Sequence, residues 1–394
     1  MENKKGFSDR FDWTLAFIIL LFLIISLLAI SSAQTSGQYT TNFVFKQLFW
    51  YGVGVVIITI VMLFEPEQYK KMSWIIYGSG VFLLFVLFIL PESLEIVARR
   101  NNAKSWFHLP FGIGSIQPAE FMKTFYILGM ARLITKHNEV NIIKTIKSDF
   151  LLLGKIALAL LVPLGFILMQ PDLGTALVFL AITAALIIVA GITWKIILPL
   201  FIGGITIGAS LLWMALNLQD FLSDKLGFSS YQFARIYSWI DPYSYASDEG
   251  MHLITSLNAI GSGEIFGKGY GGRVVYVPEN HTDFIFAVIG EEYGFIGASI
   301  VVSLFFLLIF HLTKITLELK DPYSTYVCAG IIAMITFHVF ENIGMTIQLL
   351  PITGIPLPFI SYGGSSLMGN MLAIGLVFSM KFHHKTYMFA KDNE

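Results

Sequence analysis

The stretch VPENHTDFIFAVIGEEYGFIG, residues Val277–Gly297, decides how the chain is read. Glu279 and Asp283 flank a His-Thr pair, an apolar run follows, and Glu291 and Glu292 interrupt it before Phe295. The stretch is too charged for the middle of a membrane helix and too apolar for a soluble loop. It reads as a seam, with a loop on one side and a membrane span starting near Phe295 on the other. On this reading Glu291 and Glu292 sit at the water interface, with structural roles. Asp283 either caps the coming helix or does chemistry, since a carboxylate in a partly apolar setting is driven towards useful general-base strength.

The surrounding composition makes the seam a membrane feature. Of 394 residues, 56% are hydrophobic and only 13% charged, where a soluble domain is about 25% charged. Mean hydropathy is +0.73, and apolar runs long enough to cross a bilayer recur along the chain. The expectation is an all-α polytopic membrane protein, a single integral-membrane domain over residues 1–394, with no nucleic-acid partner. One cysteine, Cys328, leaves no internal disulfide. Lys4, Lys5 and Arg10 precede an apolar run too long for a signal-peptide core, so that run is read as an uncleaved first span.

Ten spans are expected, near Trp13–Ser32, Leu48–Phe64, Met72–Leu90, Ala119–Ile134, Phe150–Met169, Leu173–Ala190, Trp194–Leu216, Phe295–Leu312, Tyr326–Ile347 and Ser366–Met380. An even number puts both termini on one side. Lysines in the short loops place that side in the cytoplasm: Lys70 and Lys71; Lys136, Lys144 and Lys147; Lys195; Lys314 and Lys320; then Lys381, Lys385 and Lys391. Arg99, Arg100 and Lys104 fall on the outer side, against that bias. Either a loop of this length tolerates them or they meet an anion such as a lipid phosphate. The largest non-spanning segment, Asn217–Asp283, lies outside, between the seventh and eighth spans. Structureless loops of that length are uncommon unless functional, so it is expected to fold back over the outer membrane surface. No clear internal repeat is present, which weakens the inverted-repeat transporter architectures.

Four further stretches carry candidate chemistry. In IQPAEFMK, Pro118 suits the first position of a helix. Glu120 and Lys123, three apart, can pair on one face, either as a local ion pair or as a costly and therefore functional intramembrane charge. In QPDLGTA, Asp172 opens the sixth span, and helix capping alone accounts for it. GSGEIFGKGYGG, Gly261–Gly272, lacks the spacing of a phosphate loop, because Gly269 follows Lys268 where Ser or Thr is required. It reads as a flexible or tightly turning loop whose amides could approach an anion. ENIGMTIQLLPITGIPLPFISYGGSS, Glu341–Ser366, breaks the backbone between two spans, which is tolerated only when buried in protein or lining a cavity.

Taken together, AKSW, QPAEFMK, QPDLGTA, AIGSGEIFGKG, PENHTDFIFAVIGEEYGFIG and LPITGIPLPFISYGGSS resemble, in order and over nearly the whole chain, the SEDS family (shape, elongation, division and sporulation). AKSW at Ala103–Trp106 and the short N-terminal tail look more like the RodA branch than the FtsW branch. The resemblance implies a multi-pass protein of the bacterial cytoplasmic membrane that polymerises lipid II on the outer face. Implied partners are a class B penicillin-binding protein and other membrane proteins of the elongation complex, with the bilayer itself. It maps the family's essential aspartate to Asp283 and its other conserved polar residues to Glu120, Lys123 and Asp172. His281, Thr282, Ser361 and Ser365 of the matched motifs are expected to bind substrate. Ala119 replaces the family's usual Ser, Lys104 stands where many members have Arg, and His252 where Gln is common.

The implied reaction joins the C4 hydroxyl of an acceptor GlcNAc to C1 of a donor MurNAc, with undecaprenyl pyrophosphate leaving. The α link becomes β, so inversion in one displacement needs one general base, assigned to Asp283. Lys104, Lys123, Arg235 and Lys268 are the cations expected to take up charge on the leaving pyrophosphate. No cofactor is assigned; a divalent cation could assist, though no metal-ligand spacing is present. Two rival readings stand beside this one: a lipid II flippase, and a non-catalytic scaffold for a penicillin-binding protein.

Overall fold

The structure, a computed structural model, describes residues 6–35, 41–91, 94, 96–100, 103–108, 114–218, 230–245 and 249–384. Of 98–100, 103, 230–234 and 249 it describes the backbone alone. Lys4, Lys5, Lys385 and Lys391, the side chains of Arg99 and Arg100, and 219–229 and 246–248 of the outer segment lie outside the described residues.

Among the described residues, ten long helices stand where ten spans are expected. After a short α1 (Phe7–Arg10) come α2 (Trp13–Gln34), α3 (Phe43–Met62), α4 (Pro66–Ile89), α5 (Pro118–Val140), α6 (Ile146–Met169), α7 (Leu173–Val189) and α8 (Trp194–Asn217). Two helices of the outer segment follow, α9 (Ser230–Ile240) and α10 (Glu249–Ser262). The last spans are α11 (Ile285–Glu318), α12 (Pro322–Thr346) and α13 (Gly364–Phe382). Eight of these are both long and apolar enough to cross a membrane; α7 is apolar but shorter, at 17 residues. α5 is long enough at 23 residues but polar, because Glu120, Lys123, Arg132, Lys136 and Glu139 ride on it. Starts follow local chemistry: Asp12, Asn42, Asp172 and Asp321 each accept a backbone N–H of the first turn, and Pro118 occupies the first turn of α5. Among the spans α13 is the most enclosed and packs against α3 and α5, while α8 is the least enclosed.

The segment before α5 is more ordered than a loop. Strands β1 (Val97–Arg100), β2 (Ala103–His108) and β3 (Ser115–Ile116) form a small antiparallel sheet in that order, with Ala98 opposite Trp106 and Phe107 opposite Ile116. Strands this short, in a stretch rich in Arg, Asn and Lys, give no strong alternating signal. The sheet feeds the chain directly into Pro118.

The seam differs from expectation in an instructive way. α11 is one continuous run only in outline. At Gly294 the backbone takes φ 61° and ψ −157°, so a half-helix, Ile285–Tyr293, meets the span proper at a break. A broken helix leaves carbonyls on one side and N–H groups on the other without partners, and in a buried setting these must be satisfied. The Gly-rich loop supplies both. Lys268 and Gly269 donate to the carbonyls of Glu291 (3.0 Å) and Glu292 (2.9 Å), while Phe295 and Ile296 donate to the carbonyls of Glu264 (2.9 Å) and Ile265 (3.2 Å). That loop turns tightly, through positive φ at Gly267, Gly269 and Gly271.

Glu291 and Glu292 are therefore not at the water interface: both are fully buried beside the break. Glu291 Oε1 takes Lys268 Nζ at 2.6 Å and the N–H groups of Val274 (2.8 Å) and Val275 (3.1 Å). Glu292 Oε1 pairs with Arg273 Nε at 2.9 Å and accepts from Ser32 Oγ of α2. Arg273 also donates to Ser32 O at 2.7 Å. Two buried carboxylates, each with its own cation, lock the loop, the break and α2 together. The structural role expected for them holds; the position does not.

Candidate active site

Asp283 stands half-buried in the turn immediately before the half-helix. Phe284 occupies the N-cap position of α11 and makes no side-chain cap, so Asp283 stands one residue before the cap. Its carboxylate faces the broken Glu341–Ser366 stretch: a Cβ on Gly354 would stand 3.4 Å from Asp283 Oδ2. One residue earlier, Thr353 O accepts from Arg235 Nη1 of α9 at 3.4 Å. The same carbonyl abuts the first turn of α7, where a Cβ on Gly174 would meet it at 3.2 Å. Arg235, Asp283 and the QPDLG turn thus converge on Thr353–Gly354.

Asn342 fixes this arrangement, although sequence reading alone did not single it out. It is wholly buried near the end of α12, and its Nδ2 donates at 2.8 Å to both Asp283 O and Ile355 O. One amide therefore ties the turn carrying Asp283 to the strand of chain it faces. The only advance signal was an amide in an apolar helix just before backbone known to be broken.

The remaining expected residues form the frame. Ser361 Oγ accepts from Leu357 N (2.9 Å) and donates to Thr282 O (2.6 Å), and Tyr362 N donates to His281 O (2.9 Å). The His281 ring stacks on Phe43, centroids 4.3 Å apart, and Thr282 Oγ1 donates to Glu279 Oε2 at 3.0 Å. Asp172 caps α7 through Thr175 N (2.9 Å) and holds Gln117 Nε2 at 2.9 Å. Gln117 N donates to Ser365 Oγ (3.0 Å), which donates on to Ser115 O (3.0 Å). α9 is seated on the broken stretch by a reciprocal pair: Trp239 Nε1 to Gln348 O (3.1 Å) and Gln348 Nε2 to Trp239 O (3.0 Å). The outer segment thus folds over the site rather than away from it.

Three of the four expected cations have ammonium groups engaged within the chain. Lys104 donates to the carbonyls of Phe88 (3.0 Å) and Leu90, closing the C-terminal end of α4. Lys123 contacts both carboxylate oxygens of Glu120 at 2.9 Å and His338 Nε2 at 2.9 Å, in a cluster almost without solvent contact. His338 Nδ1 lies 2.7 Å from Met334 O, so Nδ1 carries the proton and Nε2 accepts from Lys123. Lys268 is held by Glu291 and by Ser262 Oγ at 2.7 Å. The structure brings only Arg235 of the four to the segment facing Asp283. Among the described residues no group of three or more His, Cys, Asp or Glu could hold a metal ion.

Comparison with known proteins places this architecture. The family model for FtsW, RodA and SpoVE, described as cell cycle protein, matches residues 9–386. The chain belongs to this family. Stage V sporulation protein E of Bacillus subtilis is 34% identical over 388 residues, covering 96% of this chain and 98% of the relative. The probable peptidoglycan glycosyltransferase FtsW of the same organism is 34% identical over 404 residues, covering 99% and 94%. The peptidoglycan glycosyltransferase RodA of Treponema pallidum is 29% identical over 443 residues, covering 95% and 98%. Among solved structures, a chain from a peptidoglycan synthase complex that coordinates polymerization and crosslinking is similar with a TM-score of 0.73, at 25% identity, over 94% of this chain and 97% of that one. RodA of Thermus thermophilus shares the fold with a TM-score of 0.67, at 24% identity, over 96% and 98%. FtsW/RodA/SpoVE proteins are multi-pass proteins of the cytoplasmic membrane, and this chain's spans agree with that.

Proposed function

We propose that the chain is a peptidoglycan glycosyltransferase that polymerises lipid II into glycan strands at the outer face of the cytoplasmic membrane, with Asp283 as the general base of a single inverting displacement. The enzyme class follows from the family, whose FtsW and RodA members carry that name. The observation that carries the mechanism is the placement of Asp283: a half-buried carboxylate on a turn clamped by Asn342, facing Gly354, with Arg235 on the adjacent carbonyl.

In this reading Asp283 takes the proton of the acceptor hydroxyl as its oxygen attacks C1 of the donor sugar. The C1–oxygen bond to the pyrophosphate breaks on the opposite face, and undecaprenyl pyrophosphate leaves with the bonding electrons. Charge gathers on the leaving group as the bond breaks, so a cation there lowers the barrier more than it tightens ground-state binding. Arg235 is the first candidate, since Lys104, Lys123 and Lys268 hold up the frame on which the substrate would rest. Glu120, Asp172, His281, Thr282, Ser361 and Ser365 act on the substrate through that frame. A class B penicillin-binding protein and further elongation-complex proteins are the proposed partners.

The proposed assignment to elongation rests on AKSW. Relatives of all three names align over almost the whole chain, and complementation of cells lacking their elongation polymerase tests that branch. The mechanism is tested with purified protein and lipid II. Wild type should make glycan strands, and folded Asp283→Ala and Asp283→Asn should make none. Wild-type polymer from either variant would remove Asp283 from the mechanism. Lipid II translocation without polymer from wild type would favour the flippase, and neither activity would favour the scaffold.

A further inference from the structure

On the side that the lysine distribution places in the cytoplasm, two loops are stitched into one unit. Lys144 of the α5–α6 loop donates to Ala190 O and Gly191 O at 2.9 Å each, and Asn138 Nδ2 donates to Ala190 O at 3.3 Å. From the other direction, Asp149 Oδ2 of α6 accepts from Thr193 N (2.9 Å) and Thr193 Oγ1 (2.6 Å). The α5–α6 and α7–α8 loops are thereby held as a single surface.

That surface is apolar where a cytoplasmic loop should be polar. Ile142 and Ile143 are 85% and 81% exposed, Val140 is 74% exposed, and Trp194 and Ile146 stand out beside them. Ile142 and Ile143 lie between α5 and α6, not on the lipid face of either helix. Their rim is basic: Lys136, Lys147 and Lys195 are exposed. Of the acids on these helices, Glu139 pairs with Lys70 at 2.7 Å, and Asp149 is buried with its Oδ2 turned to Thr193 rather than to the rim.

We propose that these loops form a foot seated in the headgroup layer of the inner leaflet, with the aliphatic residues and Trp194 dipping below anionic lipid headgroups that the lysines hold. Aliphatic tips with an indole, ringed by flexible lysine stems, match the chemistry of that layer. Positive charge favours anionic over zwitterionic lipid. A soluble protein partner would equally cover apolar tips. The exposed lysine rim on a surface already at the ends of four spans favours lipid.

The test uses full-length protein in vesicles. Ile143→Cys, in a Cys328→Ala background, is given a nitroxide label, with Lys320→Cys as a reference in the α11–α12 loop. Collisions with a water-soluble nickel chelate and with oxygen then report depth. In phosphatidylglycerol vesicles the label at position 143 should lose nickel collisions and gain oxygen collisions relative to position 320. The combined change Lys136→Glu, Lys147→Glu, Lys195→Glu should restore nickel access at 143. Full nickel access at 143 in phosphatidylglycerol with the lysines intact would overturn the proposal and leave the surface to a soluble partner. So would protection that is equal in phosphatidylcholine and unaffected by the lysine changes. Since no residue of the foot belongs to the candidate active site, polymerisation by the labelled protein serves as the folding control.

Discussion

Gly294→Ala tests the seam most directly. At φ 61° and ψ −157° only glycine is comfortable, and a side chain held there costs about 1–3 kcal/mol. Space is also lacking: a Cβ would lie 2.5 Å from Gly267 N, 2.6 Å from Ile265 O and 2.7 Å from Ile265 C. All three are backbone atoms, so no rotamer change relieves the contact. The Gly-rich loop must back away, and with it go some of the four backbone hydrogen bonds that satisfy the break. Each contributes about 0.5–1.5 kcal/mol net. Losing two along with the strain gives a destabilisation of about 2–6 kcal/mol, a large part of the roughly 5–15 kcal/mol that holds a folded domain. The assay is built into the chain: Cys328 is its only cysteine and is wholly buried, so a thiol-reactive dye reports unfolding during a temperature ramp in detergent. Gly261→Ala is the control, because a Cβ there meets nothing within 4 Å. It should be neutral or stabilising by up to about 1 kcal/mol. If Gly294→Ala and Gly261→Ala melt together with wild type, the break is not locked as described.

Three further outcomes follow from the same geometry. Asn342→Asp keeps the shape but sets a carboxyl oxygen against Asp283 O and Ile355 O; kcat for lipid II polymerisation should fall at least about tenfold with KM changed less, and an unchanged kcat would deny the clamp. Lys123→Met should destabilise by about 3–5 kcal/mol by leaving buried Glu120 without its cation, whereas the double change Glu120→Gln, Lys123→Met should recover much of that loss; equal melting of single and double variants would contradict this. Glu292→Ala strands Arg273, which is 7% exposed, and should lower the melting temperature more than Glu139→Ala at the exposed Lys70 pair, worth about 0–1 kcal/mol.

The spans were legible because membrane burial writes itself into sequence as long apolar runs, and their starts were legible because Asp172 and Pro118 act locally. What stayed hidden depends on residues distant in sequence. Nothing near Glu292 says that it will be met by Arg273 and by Ser32 from the first span, so two acids before an apolar run look like an interface. For Lys104, Lys123 and Lys268 sequence shows a cation's side of the membrane and not the carbonyls and carboxylates that engage it. The sheet before α5 was missed for another reason: its strands are too short to alternate visibly. Asn342 lay inside a stretch already singled out, but which amide would bridge two carbonyls is settled only by the fold.

The pattern of pairing argues about the site as well as the frame. Buried charge is costly, and this chain answers most of it at close range: Glu120 with Lys123, Glu291 with Lys268, Glu292 with Arg273. Glu291 also holds Val274 N and Val275 N, and Arg273 holds Ser32 O, so those charges cannot swing towards a substrate without releasing backbone, while Lys123 ties α5 to His338 of α12. Asp283 sits on a turn that is held through its main chain. It is half-buried, and its backbone carbonyl is held by Asn342, so the turn stays in register whatever its carboxylate does. Its chain neighbours are fixed in the same way, His281 and Thr282 through their carbonyls by Tyr362 and Ser361. A turn restrained through its main chain fixes where its side chain stands, and fixed geometry is what the proposed general-base role of Asp283 requires first.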